Sequence, residues 1–165
     1  MTCKKNIVVA LGALALMSTG FAAHASSSCP RPRETQSFMI AAVQQQLMVA
    51  ALSCKLTGSY NAFVIDHRRD LRRSDATLRA YFNRGHGGIT AYHAYKTKLA
   101  NAASLRSLRN IKRYCADAHA IFAAAYDRSG EALAWLMAAP TPAAMSAPMP
   151  DTAGCDYRTA ERARR

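Results

Sequence analysis

Four groupings of side chains in this chain have the residue types and spacings that chemistry needs. In the run YFNRGHGGITAYHAY, from Tyr81 to Tyr95, His86 and His93 flank the Gly87-Gly88 pair. Imidazoles brought together across such a turn can ligate a metal. A zinc site needs three or four ligands, however, and no carboxylate or free thiol lies close to these two in sequence. Cys115 and His119 form a second candidate pair, at i, i+4, which works only if Cys115 is a thiolate. Asp66 and Asp70 have the i, i+4 spacing of paired acid/base carboxylates. Each also stands three residues before an arginine, Arg69 or Arg73, so ion pairing along DHRRDLRR is the simpler expectation. The fourth grouping is basic. Arg68, Arg69, Arg72 and Arg73 share one helical side by spacing; Arg106, Arg109 and Arg113 do the same, with Lys112 adjacent. The planar guanidinium fork suits phosphate and carboxylate, so both sets read as faces for an anionic partner.

Most catalytic signatures are missing. The chain contains no Cys-x-x-Cys, His-Glu-x-x-His, Gly-x-Ser-x-Gly or phosphate-cradling glycine loop. Glutamate occurs only at Glu34, Glu131 and Glu161, in or beside terminal segments or a helix cap. The expectation is a non-enzymatic protein without a cofactor. Charge points the same way. The formal net charge is +12, and without Lys4 and Lys5 it is +10, because every acidic residue lies further along the chain. So large an excess attracts anionic surfaces at long range. The expected partner is an anionic envelope component or an acidic protein, with peripheral membrane contact open. Nucleic acid is not expected, because Tyr92, Tyr95 and Phe122 fall on apolar stripes rather than on an exposed stacking platform.

The elements that would position these residues follow from periodicity. MTCKKNIVVALGALALMSTGFAAHA has a short positive start, an apolar run and a small-x-small end, the pattern of a signal peptide over residues 1–25 cut after Ala25. This predicts an exported chain, periplasmic or secreted. Cys29 follows closely, but Ser26 to Ser28 stand where a lipid-attachment signal would carry Leu. A Pro-broken leader spans 26–33. Residues 34–139 then read as one helical domain: Met39, Val43, Leu47, Ala50 and Cys54 mark one face of a first helix, with Lys55 in its last turn and Gly58 as its stop. Ser59 is placed to cap a helix to Arg73, and Ser74 or Asp75 to cap a shorter one through Leu78, Tyr81 and Phe82. The glycines at 85, 87 and 88 suit a left-handed helix end, and Thr90 suits the next N-cap. Tyr92, Tyr95, Leu99 and Ala102 form the following apolar face; Ile111, Cys115, Ala118, Phe122 and Ala125 stripe a helix over 108–126. Ser129 can cap a last short helix with Leu133, Leu136 and Met137, and residues 140–165 read as a Pro/Ala-rich, basic, disordered tail.

The expected fold class is therefore all-α, a disulfide-stapled bundle of four to five helices. Removing Cys3 with the signal leaves Cys29, Cys54, Cys115 and Cys155, an even set suited to an oxidising compartment. In a bundle with short connections, Cys54 and Cys115 lie at one pole, so they are expected to pair, leaving Cys29 with Cys155. The runs LSCKLTGSYNAFV, LRAYF and YKTKLANAASLR, with the intervening Gly-Gly, resemble the core of small exported bacterial helical proteins that carry no assigned function. That resemblance spans residues 52–126 and implies neither an activity nor site residues. Two other functions stay open beside anion binding. One is a chaperone-like protein using apolar helix faces, with Met39, Met48 and Met137 as adaptable contacts. The other is a metal-binding protein centred on His86 and His93.

Overall fold

The computed structural model describes residues 29–131, 133, 135–138 and 148. The expected signal peptide, the start of the leader, the basic tail apart from Pro148, and with it Cys155, lie outside them. The described residues are helical, with no strand. The elements are α1 (Pro32–Ser53), α2 (Thr57–Asp66), α3 (Arg68–Asn83), α4 (Gly88–Arg109), α5 (Ile111–Tyr126) and the single turn α6 (Trp135–Ala138). None of them is long and apolar enough to cross a membrane.

Helix α1 carries no charge between Glu34 and Lys55, and two of its sides are buried. Phe38, Ala41 and Ala42 pack on Leu78, Tyr81 and Phe82 of α3 and on Tyr92, Tyr95 and Leu99 of α4. Ile40, Val43, Leu47 and Ala50 pack on Phe63 of α2, on Tyr114, Ala118 and Phe122 of α5, on Leu133 and on Leu136 of α6. Phe38 meets Tyr81 and Tyr95 edge-on at 5.0 and 5.1 Å, the arrangement that ring quadrupoles prefer.

Each end of α1 is tied down. At its start, Glu34 accepts from the backbone amide of the N-cap residue Arg31 at 2.7 Å and from Arg84 Nη2 at 3.1 Å. The second Arg84 nitrogen bonds the other carboxylate oxygen, so the pair is bidentate and joins α1 to the end of α3. At its finish, Cys54 is disulfide-bonded to Cys115 of α5, as expected. Closing a loop with a separation of 61 residues stabilises the fold by about 4 kcal/mol in the chain-entropy model. Cys29 is also disulfide-bonded.

Several expected boundaries move. α1 starts at Pro32 and ends before Lys55, which lies beyond the last turn expected to hold it and, with a left-handed φ of 59°, marks the stop in place of Gly58. Gly58 lies inside α2. Ser74 and Asp75 cap nothing: they sit within α3, and Ser74 is buried with its hydroxyl directed at the Ser37 carbonyl. The chain bends instead at His67, which backbone hydrogen bonds bridge from Phe63 to Leu71. His67 is itself buried beside Phe63, with Nδ1 3.2 Å from the Glu131 carbonyl. Gly87, with φ of 84°, takes the N-cap role expected of Thr90. The expected helix over 108–126 is divided at Asn110, whose side chain accepts from the Arg113 amide at 3.0 Å and starts α5.

Burial raises the affinity of Glu34 for its proton, but Arg84 and the Arg31 amide outweigh this and hold the carboxyl below its ordinary value of 4.5. A carboxyl depressed on folding contributes stability that is complete above its unfolded value and lost as pH falls through the folded one. Glu34→Gln should therefore cost about 2 kcal/mol at pH 7. In denaturant unfolding across a pH series, its deficit relative to the parent protein should shrink as pH drops below 4.5.

Candidate functional site

On helix α3, Arg68, Arg72, Asp75 and Arg79 succeed one another at four, three and four residues, one face of a helix. That face closes against Lys96 of α4, Gln44 of α1 and Val64 of α2 around a hollow of about 480 Å³. Asp75 organises it. Its carboxylate accepts a short hydrogen bond from the Tyr92 hydroxyl and a bond of 3.0 Å from Arg79 Nε, and lies 3.6 Å from Lys96 Nζ. Arg79 also lies over the Tyr92 ring, 5.3 Å from its centroid. Burial pushes the Tyr92 phenol up, and its bond to Asp75 adds to this, so it remains a proton donor. Burial lowers the Lys96 ammonium from its ordinary value, and Asp75 only partly restores it. Four cations thus face one carboxylate whose oxygens are already engaged. An incoming phosphate or carboxylate would meet guanidinium forks and a half-buried ammonium short of counter-charge.

The basic sets expected from spacing are divided by the fold. Arg68 and Arg72 line this hollow. Arg73 lines another of about 370 Å³, with Arg33 and Asp70. Arg69 is exposed and lines neither. Among the described residues, Asp66 and Asp70 form no ion pair with Arg69 or Arg73, contrary to expectation. Asp70 lies instead 3.3 Å from the Leu133 amide, which donates to it, because the chain after α5 folds back across α3. In the second set, the corner at Asn110 leaves Arg106 and Arg109 on α4 and Arg113 on α5, so they share no helix side. Arg106 is half-buried and burial lowers its pKa, whereas Arg109 and Arg113 are exposed. Arg79 and Lys96 were not anticipated. Continuing the Arg68–Arg72 register along α3 leads to Arg79, whereas Lys96 enters only through the packing of α4.

The histidines are distributed among aromatic contacts. His86 stacks on Tyr81 at 4.0 Å, and His93 meets Tyr92 at 5.1 Å. Among the described residues, no three His, Cys, Asp or Glu side chains are grouped to hold a metal ion. Cys115 is oxidised, so the Cys115–His119 ligand pair is not formed. His119 instead borders a hollow of about 500 Å³ between α2 and α5, with Phe63, Phe122, Asp66 and Asp127. Tyr92, Tyr95 and Phe122 are buried. Met39 packs against the core and Met48 is half-buried, while the Met137 side chain is not among those described. In comparisons with known proteins, the chain matches no family model, no curated protein and no solved structure.

Asp75→Ala should lower stability by about 1–3 kcal/mol, because it takes the acceptor from a buried phenol and the counter-ion from Lys96. The same change should lower the Lys96 pKa further, because it removes the carboxylate that partly restores it. Denaturant unfolding and NMR titration of the ammonium read the two effects.

Proposed function

We propose that this is an exported, non-enzymatic binding protein that recognises an anionic envelope component through the arginine-rich face of α3. The observation that carries the reading is the four-to-one excess of cations over carboxylates in one concave site. Arg68, Arg72, Arg79 and Lys96 form the contact, and Asp75 holds Arg79 and Lys96 in place. Arg69 and Arg73, exposed on the same helix, and Arg109 and Arg113 on α4 and α5 extend the positive field. Arg106 supports it from a half-buried position. The net charge of +12 acts at longer range, drawing an anionic polymer towards the groove. Export is supported by the N-terminal leader pattern and by the oxidised cysteines, since disulfides persist in oxidising compartments.

The purified oxidised protein should co-sediment with cell-wall sacculi or bind delipidated lipopolysaccharide, and affinity should fall steeply from 50 to 300 mM salt as the Debye length shortens. Replacing Arg68 and Arg72 together by Glu should weaken binding at least tenfold. Salt-independent binding, or affinity unchanged by the double replacement, would contradict the groove assignment. Retention of an acidic protein instead of either envelope polymer would assign the groove to a protein partner.

A further inference from the structure

The corner between α4 and α5 lies apart from that groove and has a different chemistry. Leu105 and Leu108 in the last turn of α4 and Ile111 at the start of α5 are exposed, Leu108 to 81% of its surface. Arg109, Lys112 and Arg113 are interleaved with them and are also exposed. The disulfide from Cys115 brings the end of α1 alongside, where Leu52 is 76% exposed and Lys55 is exposed. In sequence, no acidic residue occurs between Glu34 and Asp66 or between Asp75 and Asp117, and half-exposed Asp117 stands one turn beyond Arg113. Large exposed aliphatic side chains set among cations, with no anion between them, form the pattern of a surface that lies in a lipid interface.

We propose that this end of the bundle docks on an anionic lipid bilayer. Leu105, Leu108 and Ile111 enter the boundary between headgroups and acyl chains. Arg109, Lys112 and Arg113 engage the phosphates around them. Charge complementarity selects this occupant. A second copy would press the same cations against one another, and an acidic polymer would leave the aliphatic side chains in water. A lipid interface offers negative charge and an apolar layer side by side. The disulfide makes the surface rigid, because it locks the ends of α1 and α5 before any lipid arrives. Docking through this end leaves the α3 groove available, so this inference stands independently of the groove reading.

The test is co-sedimentation of the oxidised exported protein, residues 26–165, with vesicles of phosphatidylcholine, alone or with 30% phosphatidylglycerol. Each cation near an anionic surface strengthens partitioning about fivefold. Replacing Arg109 and Lys112 by Glu should therefore reduce binding to the anionic vesicles at least tenfold. Replacing Leu105 and Leu108 by Ser, at unchanged charge, should reduce it about tenfold. Replacing Arg68 and Arg72 by Glu should change it less than threefold, which separates this surface from the groove. In Leu108→Trp, the added indole should be quenched by brominated acyl chains. Absence of partitioning at low salt would overturn the proposal, as would partitioning that neither corner pair weakens or that only the groove pair abolishes. Equally, a concentration-dependent dimer that is lost in the Leu105/Leu108 variant without lipid would make this face a contact between copies.

Discussion

Helix α1 is the constraint on which the rest of the molecule depends. A helix buried on two sides cannot carry charge along those sides, because an unpaired charge in an apolar interior costs several kcal/mol. The stretch between Glu34 and Lys55 meets that condition, with no ionisable acid or base within it. Every other helix is laid around α1, each burying one apolar stripe against it or against a helix that touches it. The charge of the domain is thereby displaced onto the outer faces of α3, α4 and α5. Because these three helices carry eleven Lys and Arg against three Asp, those faces are predominantly cationic.

The two ends of α1 are secured by different chemistry. At the N-terminal end, a buried carboxylate holds Arg84 and a backbone amide, tying α1 to the end of α3. At the C-terminal end a covalent bond ties it to α5. Between these ties the aromatic cluster around Phe38 fixes the distance from α3 to α4, and so the width of the groove between Arg72 and Lys96. The groove cations therefore stand on a frame that is already ordered, and an anion that binds need not pay to assemble them.

Much of this was legible in the sequence. Helical periodicity identified the all-α class, the apolar face of α1, most of those of α4 and α5, and the left-handed glycines before α4; Ile111, expected on the α5 stripe, is exposed because the corner at Asn110 turns it outward, and Ala103 rather than Ala102 is buried on α4. The Cys54–Cys115 pairing followed from connectivity and pole alone. What could not be read were the joints. Ser74 has the chemistry of a cap, but its hydroxyl is directed at a carbonyl on α1, a partner remote in sequence. His67 looks like part of a basic helix, yet tertiary packing against Phe63 and the Glu131 carbonyl makes it the bend. Asn110 divides a run that has uninterrupted helical composition. The groove was half legible for the same reason: its α3 side is a register of one helix, whereas Lys96 and Tyr92 reach Asp75 only because α4 packs beside α3.

On the proposed reading, the outward cations act as localised anion-facing surfaces rather than as a diffuse solubilising charge. Backbone and side-chain NMR shifts of the ¹⁵N-labelled oxidised protein, followed during titration with inorganic pyrophosphate, test this most directly. The shifts should be saturable and concentrated at Arg68, Arg72, Arg79 and Lys96, with smaller ones at the α4–α5 corner. Shifts that never saturate, or that spread evenly over every exposed Lys and Arg, would contradict it.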